Sequence, residues 1–133
     1  MQKKNKNMKY FISGHREISQ EEFNEHYVKA LREIVKEDPE AEFVVGDYHG
    51  ADTMAQEWLK ENIRPDRVTV YHMFESPRVC KDPGFKKKGG YKTDEERDAA
   101  MTKESDKDIA FLRKGKRKSG TAQNLCRRFE VMD

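Results

Sequence analysis

Asp47, His49 and Asp52 fall within six positions of one another in VVGDYHGADTMAQEW (residues 44–58), with Gly46 and Gly50 set among them. A carboxylate beside bare backbone can accept hydrogen bonds from the hydroxyls of a bound sugar, or act as a general base where its pKa is raised. An aspartate at a helix start also caps the helix or complements its dipole, and for Asp47 and Asp52 both readings stay open. A second polar turn, SGHR (residues 13–16), sets Gly14 beside His15 and Arg16. A guanidinium there can hold a phosphate or carboxylate bidentately; the plainer alternative is a surface arginine next to a hydrogen-bonding histidine. The third is Ser119, Gly120 and Thr121, which follow the basic run RKGKRK (residues 113–118) and open a helical pattern. Unpaired N–H groups at a helix start favour a phosphate, although Ser119 as a cap and Gly120 as a turn residue explain the same letters.

These residues need elements to position them. KYFIS (residues 9–13), residues 43–45, VTVYHM (residues 68–73) and DIAFL (residues 108–112) read as short strands. Ser19 and Glu22 form a capping box before a helix with Phe23, Tyr27, Ala30, Leu31 and Ile34 on one face, ended by Pro39. Ala51, Met54, Ala55, Trp58 and Leu59 recur at helical spacing, with Trp58 expected in the core. Thr93 and Glu96 begin a polar helix with a thin apolar face, running to about Ser105, and the last helix spans 119–129. Residues 74–92 carry no sustained periodicity and are expected to be an irregular connection, functional or mobile. Strands alternating with helices predict an α/β, Rossmann-like, doubly wound and mainly parallel sheet of four or five strands with helices on both faces. Residues 130–133 are left open as a fifth strand. In such a sheet residues 14–16, 46–52, the stretch from Phe74 onward and residues 113–121 converge at the carboxyl edge of the strands.

The 133 residues suffice for one core, expected over 8–133 after a flexible tail at 1–7. Charged residues make up 39% and hydrophobic ones 35%, yet the net charge is only +2, which argues against a broad nucleic-acid footprint. The basic runs KKKGGYK (residues 86–92) and RKGKRK could still track a nucleic-acid strand, with Phe85 or Tyr91 stacking on bases; solvated loops are the ordinary reading. No apolar run is long enough for a membrane helix, and the basic start lacks a signal peptide's apolar segment, so a cytoplasmic protein without membrane contact is expected. His15, His26, His49 and His72 share no metal-ligand spacing, and Cys80 and Cys126 no CxxC pattern, so neither metal, cofactor nor disulfide is implied. Cys126, at helical spacing with Leu125 and Phe129, reads as a buried thiol.

The order FISGHR, VVGDYHGADTMAQEWL, ERDAAM, DIAFL, KSGTAQNL resembles the SLOG superfamily of Rossmann-like domains, and within it the small bacterial and phage proteins related to YspA. The wider superfamily includes the Lonely Guy phosphoribohydrolases, the DNA-processing protein DprA and relatives of the nucleoside 2-deoxyribosyltransferases. The resemblance implies a pocket for a nucleotide or nucleotide-derived ligand formed by Gly14, His15, Arg16, Gly46, Asp47, Gly50, Asp52, Ser119, Gly120 and Thr121, with Arg97 of ERDAAM reaching it, and a homodimer. The sequence departs from the hydrolases where Asn124 stands in place of their glutamate, and an amide supplies no carboxylate. The leading expectation is therefore a sensor or accessory protein. A nucleotide N-glycosidase using Asp47 or Asp52 is the alternative, and single-stranded nucleic-acid binding the third.

Overall fold

The computed structural model describes residues 8–111 together with Asn124, Leu125 and Arg128. Five parallel strands form one sheet: β1 (Lys9–Ser13), β2 (Glu42–Val45), β3 (Val68–Met73), β4 (Lys86–Tyr91) and β5 (Lys107–Ala110), in the order β4-β3-β2-β1-β5. The chain steps outward from β1 to β4 and then returns across the sheet to pair β5 with the free side of β1. This is the α/β Rossmann-like architecture expected, and the reversal beside β1 makes the β1/β5 ends the topological switch point.

Alternation along the strands sends the two faces into different packing. Ile12, Phe43, Val45, Val68, Val70 and Ile109 pack on one side with the helical stretch 20–37 and α3 (Ala51–Asn62). Phe11, Val44 and Tyr71 face the other side, against Met101 of α4 (Asp94–Lys103). The stretch 20–37 comprises α1 (Gln20–Phe23), a π-helical turn at Asn24–Val28 and α2 (Lys29–Glu37). Ser19 closes the expected capping box with Glu22, and the Thr93 hydroxyl accepts from the Glu96 N–H at the start of α4. Trp58 is half-buried against the core.

One expectation is overturned. Within 74–92, expected to be an irregular connection with a solvated basic loop, Lys86–Tyr91 forms the edge strand β4. Its lysines are exposed, as befits an edge that must not pair with other chains. Residues 74–85 make the crossover from β3 to β4 without a helix. The fully buried Gln56 of α3 braces it: its amide N–H groups donate to the carbonyls of Gly46 (2.9 Å) and Val79 (3.1 Å), and its oxygen accepts from the Lys81 N–H (2.9 Å). Phe85 and Cys80 then insert into the core on the α3 side.

β5 covers Lys107–Ala110 rather than 108–112, and Leu112 lies outside the described residues, as do the tail, RKGKRK, Cys126 and residues 130–133. Among the described residues no helix is long and apolar enough to cross a membrane.

Candidate functional site

The carboxyl end of β2 runs directly into a buried ionic cluster. Asp47 is fully buried, and both of its oxygens are engaged. Oδ1 accepts from Nη1 of Arg97 (2.7 Å) and Nη2 of Arg78 (2.9 Å), and Oδ2 accepts from the Arg78 backbone N–H (2.8 Å). Arg97, itself 5% exposed, also pairs with Asp98 (2.8 Å) and Asp94 (3.2 Å), while Arg78 reaches Asp94 at 2.7 Å. Burial pushes the Asp47 carboxyl up, but the hydrogen bonds and charges of Arg78 and Arg97 outweigh it and hold the group below the usual carboxylate range. Arg97 stays charged: burial opposes its charge, and the carboxylates of Asp98, Asp52 and Asp94 more than compensate.

Asp52 opens α3 in the same cluster. It accepts from the Tyr48 N–H at 3.2 Å, and a Cβ at Gly46 would stand 2.6 Å from its Oδ2 and 3.0 Å from the Arg97 guanidinium carbon. Burial raises its pKa to about 7; Arg97 pulls it down, and the Asp98 and Asp47 charges push it up. Among the described residues Asp47, Asp52, Asp94 and Asp98 share two cations, Arg78 and Arg97, so ionisation of all four would leave unbalanced negative charge in a largely buried place. A proton on Asp52 relieves it. Asn124 donates to Asp98 at 3.4 Å, bringing the C-terminal part of the chain to the same edge.

The first turn meets this cluster through Tyr48. The guanidinium carbon of Arg16 lies 4.4 Å from the Tyr48 ring centroid and that of Arg78 lies 4.6 Å away. Arg16 is exposed and makes no ion pair with a described residue. His15 is buried, edge-on to Phe111, and its carbonyl accepts from the Ala51 N–H at the start of α3 (3.1 Å). At the switch point the Tyr27 hydroxyl, carried by the π-helical turn, donates to the Ser13 carbonyl (2.7 Å) and accepts from the Phe111 N–H (3.0 Å). That one hydroxyl ties together the ends of β1 and β5.

Of the residues expected from the sequence, Gly46, Asp47, Asp52 and Arg97 come together in the cluster, and Gly14, His15 and Arg16 form the adjoining turn, against whose backbone Gly50 packs. Ser119, Gly120 and Thr121 lie outside the described residues. The glycines serve close packing within the chain. A side chain at Gly14 would collide with Tyr27 and Ala51, and one at Gly50, where φ is +84°, with the Arg16 backbone. Tyr48, Arg78, Asp94 and Asp98 were not foreseen. Asp98 adjoins Arg97 in ERDAAM, whereas Arg78 lies in the stretch after Phe74, which was expected at this edge but has no periodicity to single out one residue.

Among the described residues no group of His, Cys, Asp and Glu converges as metal ligands. A cavity of about 280 Å³ lies elsewhere, between the start of β1 and the end of α2, lined by Met8, Tyr10, Glu33, Ile34, Glu37 and Asp38. Comparison with protein-family models, curated proteins and solved structures found no match to this chain.

Proposed function

We propose that the carboxyl edge of the sheet binds a nucleotide or nucleotide-derived small molecule, and that the protein acts through that ligand as a sensor or accessory factor of the SLOG type. The observation that carries this reading is the gathering of Asp47, Asp52, Arg78, Arg97 and Asp98 at the ends of the strands. Doubly wound sheets take their ligands at that edge. A buried ion-pair network is a poor way to stabilise a fold, because desolvation offsets the attraction, so its concentration there favours a binding role. Arg16, exposed and free of acidic partners among the described residues, is the natural anchor for an anionic group. The order of sequence segments, which resembles that of SLOG proteins, supports the same ligand class.

Hydrolysis of an N-glycosidic bond is the second reading, and one observation favours a particular residue for it. Both oxygens of Asp47 are held by arginines, whereas Asp52, with a pKa of about 7, is poised to give or take a proton at neutral pH. Thermal-shift screening against nucleotides, nucleosides, sugar phosphates and nicotinamide nucleotides, followed by chromatography for released base, separates the two. A ligand that raises Tm and stays intact supports sensing. Release of free base that Asp52→Asn abolishes supports catalysis, and no shift across the panel contradicts both.

A further inference from the structure

Phe74, the residue after β3, is 63% exposed and the one large apolar side chain left in solvent among the described residues. Its φ is +53°, a left-handed conformation that a bulky residue adopts rarely, and no other described non-glycine residue has a positive φ. The conformation is fixed from both sides. The Phe74 N–H donates to the Tyr91 carbonyl (3.0 Å), and the Phe74 carbonyl accepts from the N–H of Gly90 (2.9 Å), a glycine at φ +94°. β3 thus overshoots its neighbour β2, turns at Phe74 and comes back to Arg78, which grips Asp47.

A turn that needs positive φ selects glycine or asparagine. Phenylalanine brings strain and exposure, and no ring contact within the described chain offsets them. Such an outlier, held in place by its surroundings, points to a use outside the fold. Phe74 and Arg78 are four positions apart, so their Cα atoms lie within about 14 Å of each other and Phe74 stays beside the ionic cluster. Its exposed neighbours Glu75, Ser76, Arg78 and Lys92 are polar. A protein interface surrounds its anchor with further exposed apolar side chains, and among the described residues no other large one is exposed. A lone ring among polar groups instead suits a planar heterocycle that stacks by its face and keeps its edges hydrated.

We propose that Phe74 is the platform on which a nucleobase stacks while the remainder of its nucleotide occupies the carboxyl edge. This rests on the nucleotide reading above and specifies which part of the ligand meets which residue. The base belongs either to a free nucleotide or to a single-stranded nucleic acid. Titration of the wild type, Phe74→Asn and Phe74→Tyr with nucleoside 5′-monophosphates, ribose 5-phosphate and a short single-stranded oligonucleotide distinguishes the sources.

In the expected result the wild type prefers the monophosphates to ribose 5-phosphate. Phe74→Asn then loses about ten-fold or more in nucleotide affinity, as removal of a stacking ring does, while Phe74→Tyr keeps it and ribose 5-phosphate binds all three proteins alike. The Tm of Phe74→Asn should equal or exceed that of the wild type, because asparagine tolerates this backbone. If only the oligonucleotide binds, salt-sensitively and through Phe74, the platform stands and its base comes from a strand. Equal nucleotide affinity of Phe74→Asn and wild type, or no preference over ribose 5-phosphate, overturns the platform and leaves the site reading intact. Binding of none of the three probes overturns both.

Discussion

The two faces of the sheet are built from different chemistry. Under α1, α2 and α3 the side chains are apolar and fully buried, with Phe23, Tyr27, Leu31, Phe43, Leu59 and Val70 among them. Under α4 the apolar cluster among the described residues shrinks to Phe11, Val44, Tyr71 and Met101, and charge takes over. Arg97 is held by Asp47 and Asp98. Further along, the buried Arg128 pairs with Asp108 (3.0 Å) and donates to the carbonyls of Thr102 and Ser105. Apolar burial is non-directional and tolerant of small shifts, whereas a buried guanidinium is satisfied by one arrangement of acceptors. The first face supplies most of the driving force for folding. The second fixes particular geometries at both ends of α4, at a cost in desolvation. Arg128 ties its end to the start of β5 at the amino edge, whereas Arg97 near its start joins the larger cluster at the carboxyl edge, where the strand ends gather and where we place function.

Breaking each face should expose the contrast. The largest effect is expected from Arg97→Ala, which strands the buried Asp47 and its neighbours and should cost about 3–5 kcal/mol in urea unfolding. Leu31→Ala, its counterpart on the apolar face, should cost about 2–5 kcal/mol through the cavity left behind. The two separate in their pH response, since only Arg97→Ala should alter the profile of stability against pH.

A middle-sized effect isolates Asp52. Its folded pKa of about 7 exceeds the ordinary value, so the folded form keeps a proton that the unfolded chain has lost. Stability should therefore fall as pH rises from about 4 to about 7 and then level off. Asp52→Asn should remove that decline, gaining on the order of 2–4 kcal/mol at alkaline pH and nothing at acid pH. Asp47 works in the opposite sense, because its lowered pKa contributes stability that disappears as pH falls through it. The smallest effect should be blind to the contrast. Ser19→Ala, at the start of α1, and Thr93→Ala, at the start of α4, each remove a local cap and should each cost about 1 kcal/mol by thermal unfolding.

The contrast also explains what could be read beforehand. β1, β3 and α3 follow from β-branched runs and helical spacing, signals that burial writes into the sequence. β4 does not, because KKKGGY is paired on one side only and exposed, so pairing with β3 overrides its poor strand propensity. The π-helical turn that carries Tyr27 was equally hidden, since Phe23, Tyr27 and Leu31 satisfy an ordinary helical pattern. At the site, Asp47, Asp52 and Arg97 were legible as polar residues in suggestive turns, but their mutual pairing was not. Arg78 is recruited from 31 positions beyond Asp47 by a crossover that no periodic signal marks.

The central claim is that ligand binds at the carboxyl edge, on the charged side of this contrast. Amide NMR of the labelled protein, titrated with whichever nucleoside monophosphate raises Tm most, tests it directly. Shifts gathered at residues 14–16, 46–52, 74–78 and 94–98, and much weakened in Arg16→Ala, are the predicted result. Shifts centred on Met8, Tyr10 and Ile34 at the opposite edge, or no shifts at millimolar ligand, would contradict it.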